Sequence, residues 1–168
     1  MPSNLEVAVK LLEYALLMEG DEYWERLKEL RKMAFRIMTA LSDFRPKLVG
    51  SVWRGVIKPD SDIDIELDFA DPEPVRQRLI REGYEILEDA SIDVPEPLRC
   101  GSLWRIRVKA GLGREAEIIL KEHEWYVNPP KCDIYGDARK GLNLMELKKV
   151  LETEPDKLFI PEEAQAWR

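Results

Sequence analysis

The sequence is short of the side chains that most often build metal and redox chemistry. Its 168 residues include one histidine, His123, and two cysteines, Cys100 and Cys132. One imidazole and two thiols supply a conventional zinc site poorly, and two cysteines in a chain this long do not make a disulfide framework. Both cysteines are expected to be small buried hydrophobes. No apolar run approaches the roughly 20 residues that a membrane span needs. The opening MPSNLEVAVKLLEYALL lacks the basic segment and small-residue cleavage site of a signal peptide. No internal repeat and no low-complexity linker interrupts the chain, so a cytoplasmic globular protein with no membrane partner is expected.

A surplus of positive charge is also missing. The net charge of −7 argues against indiscriminate binding of polyanions. The charge is unevenly spread: residues 60–97 carry thirteen acidic side chains against Arg76, Arg78 and Arg81, whereas 99–114 hold Arg99, Arg105, Arg107, Lys109 and Arg114 with no acid. An acidic strand facing a basic one suits a metal-plus-triphosphate site, and equally suits charged strands pairing across a solvated sheet face.

What is present reads as α+β. Ser3 and Glu6 form a capping box, and Leu5, Ala8, Val9, Leu12 and Leu16 then fall on one helical face. After Gly20 a second helix carries an apolar stripe from Trp24 to Leu41, with Arg26, Lys28, Arg31, Lys32 and Arg36 assigned to its solvated face. Pro46 to Val52 reads as a short buried strand. From Asp62 to Phe69 the pattern alternates, with Asp62, Asp64, Glu66 and Asp68 on one face and Ile63, Ile65, Leu67 and Phe69 on the other. Pro72 and Pro74 open a helix that Gly83 ends, Tyr84 to Leu87 reads as a strand, and the stretch around Pro95 and Pro97 reads as loop. Two strands, LWRIRVKA and EAEIILKE, flank Gly111-Leu112-Gly113. Pairing 110 with 114 places Lys109 opposite Glu115 and Arg107 opposite Glu117, which keeps charge on one face and Trp104, Ile106, Val108, Ile118 and Leu120 on the other. A last amphipathic helix follows Asn143. Residues 1–44 read as an N-terminal helical segment and 45–168 as the main domain, or the whole as one compact domain.

One segment points to chemistry. Gly50 and Ser51 are followed, after ten residues, by Asp62-Ile63-Asp64. Alternate residues of a strand share a side, roughly 6.6 Å apart along the chain. Asp62 and Asp64 can therefore converge on hard divalent cations such as Mg²⁺ or Mn²⁺, which prefer oxygen ligands. Gly50 lets the backbone approach a phosphate, Ser51 adds a hydroxyl, and Arg54 can offer a guanidinium fork. Alone, a D-x-D strand is often an exposed acidic face and G-S is often a turn; the ordered combination is the specific feature.

The stretch LVGSVWRGVIKPDSDIDIEL resembles the signature of the nucleotidyltransferase superfamily that includes DNA polymerase β, archaeal-type CCA-adding enzymes and the minimal nucleotidyltransferases. The GSxxRG form is closest to the last two groups. The resemblance implies a mixed, mostly antiparallel sheet backed by helices. It also implies triphosphate contacts at Gly50 and Ser51 and magnesium at Asp62 and Asp64. A third carboxylate on a later strand is usual in the family. Glu115, Glu117 and Asp133 are the candidates, and Ala116-Glu117-Ile118 fits best, although many members have Asp there and Glu117 reads equally as a surface partner of Arg107. The expected activity is transfer of a nucleoside monophosphate from a triphosphate, with ATP the expected one, to a hydroxyl acceptor with release of pyrophosphate. RNA, a small molecule or a protein hydroxyl all stay open as acceptor. The alternative is a catalytically weak or inactive nucleotide-binding module, antitoxin-like, acting through a protein partner. His123 reads as a surface or hydrogen-bonded residue and Trp53 as packing.

Overall fold

A computed structural model describes residues 1–165. Six helices and six strands follow in the order α1 (Asn4–Glu19), α2 (Asp21–Ala40), β1 (Pro46–Val49), α3 (Gly50–Arg54), β2 (Ile63–Leu67), α4 (Pro72–Arg81), β3 (Ile86–Ser91), β4 (Ser102–Gly111), β5 (Arg114–Lys121), α5 (His123–Val127), β6 (Leu142–Asn143) and α6 (Leu144–Thr153). The strands form one mixed sheet in the order β3-β4-β5-β2-β1-β6. Only β2 and β5 run parallel; the other neighbours are antiparallel. This is the α+β, mostly antiparallel, helix-backed arrangement that the sequence implies.

Alternation decides which face of the sheet is buried. Ile63, Ile65 and Leu67 of β2, Ile106 and Val108 of β4, and Ala116, Ile118 and Leu120 of β5 are all fully buried. They share one core with Leu27, Leu30, Ala34, Ile37 and Met38 of α2, Val75 and Leu79 of α4, and Leu147 of α6. The opposite face carries the charged residues. The predicted capping box of Ser3 with Glu6 is formed at the start of α1, and a second one, Asn143 with Glu146, opens α6. Among the described residues no helix is long and apolar enough to cross a membrane.

The β4–β5 register is the expected one, with Arg107 opposite Glu117 and Lys109 opposite Glu115. The turn differs. Gly111 pairs with Arg114 after an irregularity at Lys109/Gly111, leaving Leu112 and Gly113 as a two-residue loop with φ of 51° and 74°. Positive φ at both central residues matches the right-handed twist of the flanking strands.

Four expectations need correction. The strand expected over 46–52 stops at Val49, because Gly50 turns at φ 74° and the next residues wind into α3. β3 covers Ile86–Ser91 rather than 84–87, since its register is set by pairing with β4. Arg31 is not on a solvated face but is fully buried. Cys100 and Cys132 are half-buried free thiols rather than core residues.

Candidate active site

The site is built where β1 hands over to α3. Gly50 stands at the crossing of β1 and β2, and a Cβ added there would lie 2.5 Å from Asp64 Oδ2. With φ at 74° as well, only glycine fits without strain. Helix α2 fixes the carbonyl end of α3. Arg31 donates to Val52 O at 3.0 Å and Trp53 O at 2.8 Å, and reaches Pro155 O at 2.9 Å and Lys157 O at 2.7 Å. Tyr23 donates its hydroxyl to Gly55 O at 2.6 Å and accepts from Ile57 N–H at 3.0 Å. Burial pushes the Tyr23 phenol up to about 12, so it stays a donor here.

The carboxylates come together through strand pairing. Asp64 sits opposite Val49 on β1 and opposite Glu117 on β5. Burial raises the Asp64 pKa to about 7, and the negative charges of Glu117, Asp62 and Glu66 add to the rise. Among the described residues no donor bonds its side chain. Asp62 immediately precedes β2, with Arg107 Nη2 3.8 Å from its Oδ2. Glu117 does not pair with Arg107, as one reading of the sequence had it. Arg107 turns to Glu115, and Arg105 Nε instead lies 2.8 Å from Glu117 Oε1. Among the described residues no three His, Cys, Asp or Glu side chains form a ready metal cage. Asp62, Asp64 and Glu117 are neighbours without being a preformed three-ligand site. That donor set still fits magnesium, which is commonly held by one or two carboxylates together with substrate phosphates.

Asp64 and Glu117 face a cavity of about 930 Å³, and Asp62 is not among its lining residues. Gly50, Ser51, Asp64, Glu66 and Glu117 form its polar floor; Leu11, Tyr14 and Met18 of α1 and Pro129, Ile134 and Tyr135 of the later loop form apolar walls. Asp133, in that loop, lines it too. Arg54 also borders the cavity, but its fork is taken. Nη1 and Nη2 hold Asp137 at 3.1 and 2.6 Å, Nη1 reaches Phe159 O at 3.1 Å, and the guanidinium lies 4.5 Å and 4.3 Å from the rings of Trp53 and Tyr135. The expectation of an Arg54 free for phosphate gives way to an Arg54 that ties down the C-terminal segment. Trp53 is buried, as packing. His123 meets Asp68 at 2.9 Å on the surface.

No protein-family model matches this sequence, and no curated protein matches it. Solved structures give partial likenesses. A cytoplasmic RNA terminal U-transferase is 15% identical over 70% of this chain, with a TM-score of 0.41. The Cid1 poly(U) polymerase is 15% identical over 67%, also at 0.41. Terminal uridylyl transferase 4 from Trypanosoma brucei, with bound CTP, is 16% identical over 73%, at 0.38. This chain spans only 38%, 35% and 42% of their respective lengths. Such distant likenesses carry no functional argument, and the site stands on its own geometry.

Several residues that shape the site escape the sequence pattern. Arg31 and Tyr23 anchor α3 from α2, yet Arg31 looks like one more cation on an amphipathic helix. Lys47 and Lys121, both buried, flank Glu66, and Lys121 also lines the cavity. The one available signal for these is a charged residue at an inward-facing strand position, and alternation alone does not separate it from a solvated face.

Proposed function

We propose that this chain is a metal-dependent nucleotidyltransferase that moves a nucleoside monophosphate from a nucleoside triphosphate to a hydroxyl acceptor, releasing pyrophosphate. The observation that carries the reading is the contact between Gly50 and Asp64. A glycine with no room for a Cβ abuts an unpartnered, largely buried carboxylate at the floor of a cavity large enough for a nucleotide. Asp62 and Asp64 would hold Mg²⁺ or Mn²⁺, with Glu117 as the third carboxylate once released from Arg105. The bound metal would neutralise phosphate charge and activate the attacking oxygen. Gly50 and Ser51 leave the backbone open to the triphosphate, and Glu117 stands opposite Asp64 where it could accept the acceptor's proton. The chain's contribution is therefore positioning and charge. ATP is the proposed triphosphate, and the acceptor is RNA, a small molecule or a protein hydroxyl.

A second reading has its own support. Arg105 and Arg107 engage Glu117 and Asp62, and no three-ligand cage exists among the described residues. A module that binds nucleotide and acts through a partner, without turnover, would tolerate that. One experiment separates the two. Purified protein with Mg²⁺ and each α-labelled triphosphate is offered total RNA, a small-molecule extract and cell protein as acceptors. Label in one fraction with wild type, and none with Asp62→Asn/Asp64→Asn, is the expected result. Triphosphate binding with no label in any fraction would establish the non-catalytic module instead.

A further inference from the structure

We propose that Glu66 reads the ribose of the bound triphosphate, accepting a hydrogen bond from its 2′-hydroxyl and so selecting ribonucleotides over deoxyribonucleotides; this rests on the nucleotidyltransferase reading above. Glu66 projects from the same face of β2 as Asp64, into the same cavity. On that face Asp68 meets His123 at 2.9 Å, whereas Glu66, like Asp62, has cations at ion-pair distance only. Arg107 Nη2 lies 3.8 Å from Asp62. Glu66 is held by two: Lys47 Nζ lies 3.9 Å from Oε1 and Lys121 Nζ 3.7 Å from Oε2, both beyond hydrogen-bonding reach.

Both ammonium groups are spoken for. Lys47 donates to Tyr126 O at 3.0 Å and lies 4.2 Å from the Tyr126 ring. Lys121 donates to Cys100 O at 2.5 Å and reaches Ser102 Oγ at 3.3 Å. Among the described residues no donor makes a hydrogen bond to either oxygen of Glu66. Two fixed cations thus steady a carboxylate whose lone pairs stay open to the cavity. An ionised carboxylate only accepts, so the group that completes it is a donor such as a hydroxyl.

Distance points to the ribose, and the 2′-deoxy and 2′-fluoro ligands below separate its two hydroxyls. Glu66 is two residues along the strand from Asp64, roughly 6.6 Å. The ribose hydroxyls lie five or six covalent bonds from the α-phosphorus, roughly 5–7 Å. An α-phosphate placed at Asp62 and Asp64 therefore brings the ribose edge to Glu66, while the exocyclic amines of the bases fall farther away.

The test uses the full chain with Mg²⁺. Its ligands are the α,β-methylene analogues of the four ribonucleoside triphosphates, their 2′-deoxy and 2′-fluoro counterparts, and inorganic tripolyphosphate. Wild type is expected to bind the ribo form about tenfold or more tightly than both counterparts, because fluorine fills the position without donating. Glu66→Gln should cut that ratio several-fold. Equal affinity for ribo, deoxy and fluoro forms, or a ratio that Glu66→Gln leaves intact, would overturn the role of Glu66 while leaving the transferase reading standing. If no triphosphate binds, tripolyphosphate included, both fall. Equal wild-type binding of the three forms overturns the proposal by itself, and if Glu66→Gln does not fold, Glu66→Asp supplies the variant ratio in its place.

Discussion

Two buried charges flank α3 and are treated in opposite ways. Arg31, at the carbonyl end of the helix, has no solvent exposure and meets no carboxylate, yet four backbone carbonyls accept from its guanidinium. Asp64, against Gly50 at the other end, receives no hydrogen bond from the described residues and has other carboxylates for neighbours. Both pay the desolvation that burial imposes on a charge. It lowers the Arg31 pKa to about 10 and raises that of Asp64 to about 7. A buried charge saturated by its own fold is scaffold. One left short of partners, facing a cavity, marks where an external group belongs.

Breaking the saturated side should cost most. Arg31→Met leaves four carbonyls of α3 and the 155–157 segment without their donor. At about 1 kcal/mol or more for each, the expected loss is roughly 4 kcal/mol, enough to lower Tm by about 10 °C. A thermal melt checks this, and a drop of only a degree or two would show that water replaces the guanidinium without cost. Gly50→Ala strikes the other side. Its Cβ would lie 2.5 Å from Asp64 Oδ2 at a φ of 74°. A loss of roughly 1–3 kcal/mol is expected from strain, together with weaker binding of Mg²⁺-triphosphate in calorimetry. Full stability and unchanged binding would mean that the contact does not shape the site.

Parts of this contrast are visible in the sequence and parts are not. The acidic face of β2 and the β4–β5 register follow from a two-residue period, because a slip of one residue would expose Ile106 and Ile118 and bury Arg107 and Glu117. The Ser3–Glu6 capping box is local too, since its partners lie three residues apart. Arg31 is different. Its acceptors at 155 and 157 lie more than a hundred positions away, and a helical wheel has no term for them. Arg54 fails in the same way, since Asp137 and Phe159 claim it across the fold. Even the end of β1 depends on a distant contact. Gly50 turns out of the strand against a carboxylate fourteen residues later, so an apolar run through Val52 looks like strand until β2 is in place. The motif residues could be named in advance, but which arginine stays free for a ligand could not.

The smallest expected effect sharpens the contrast from the unsaturated side. In the folded chain Asp64 holds its proton up to about pH 7, against an ordinary value of 3.8. Between those values the folded state binds more protons than the unfolded one. Stability is therefore lost as pH rises through that window and is lowest above it. Asp64→Asn removes the ionisation and with it the loss. At pH 8 the variant should be more stable than wild type by about 1 kcal/mol or more, a gain of roughly 2–4 °C in Tm. Below about pH 3 the two melting temperatures should converge, because wild-type Asp64, with an ordinary value of 3.8, is then neutral in both states. Mg²⁺-triphosphate should raise the wild-type Tm at pH 8 and leave the variant nearly unmoved, since the stabilising cation has lost its ligand. A variant less stable than wild type at pH 8 would show that the Asp64 charge already has a partner within the fold, and the distinction between scaffold and site drawn from Arg31 would not hold.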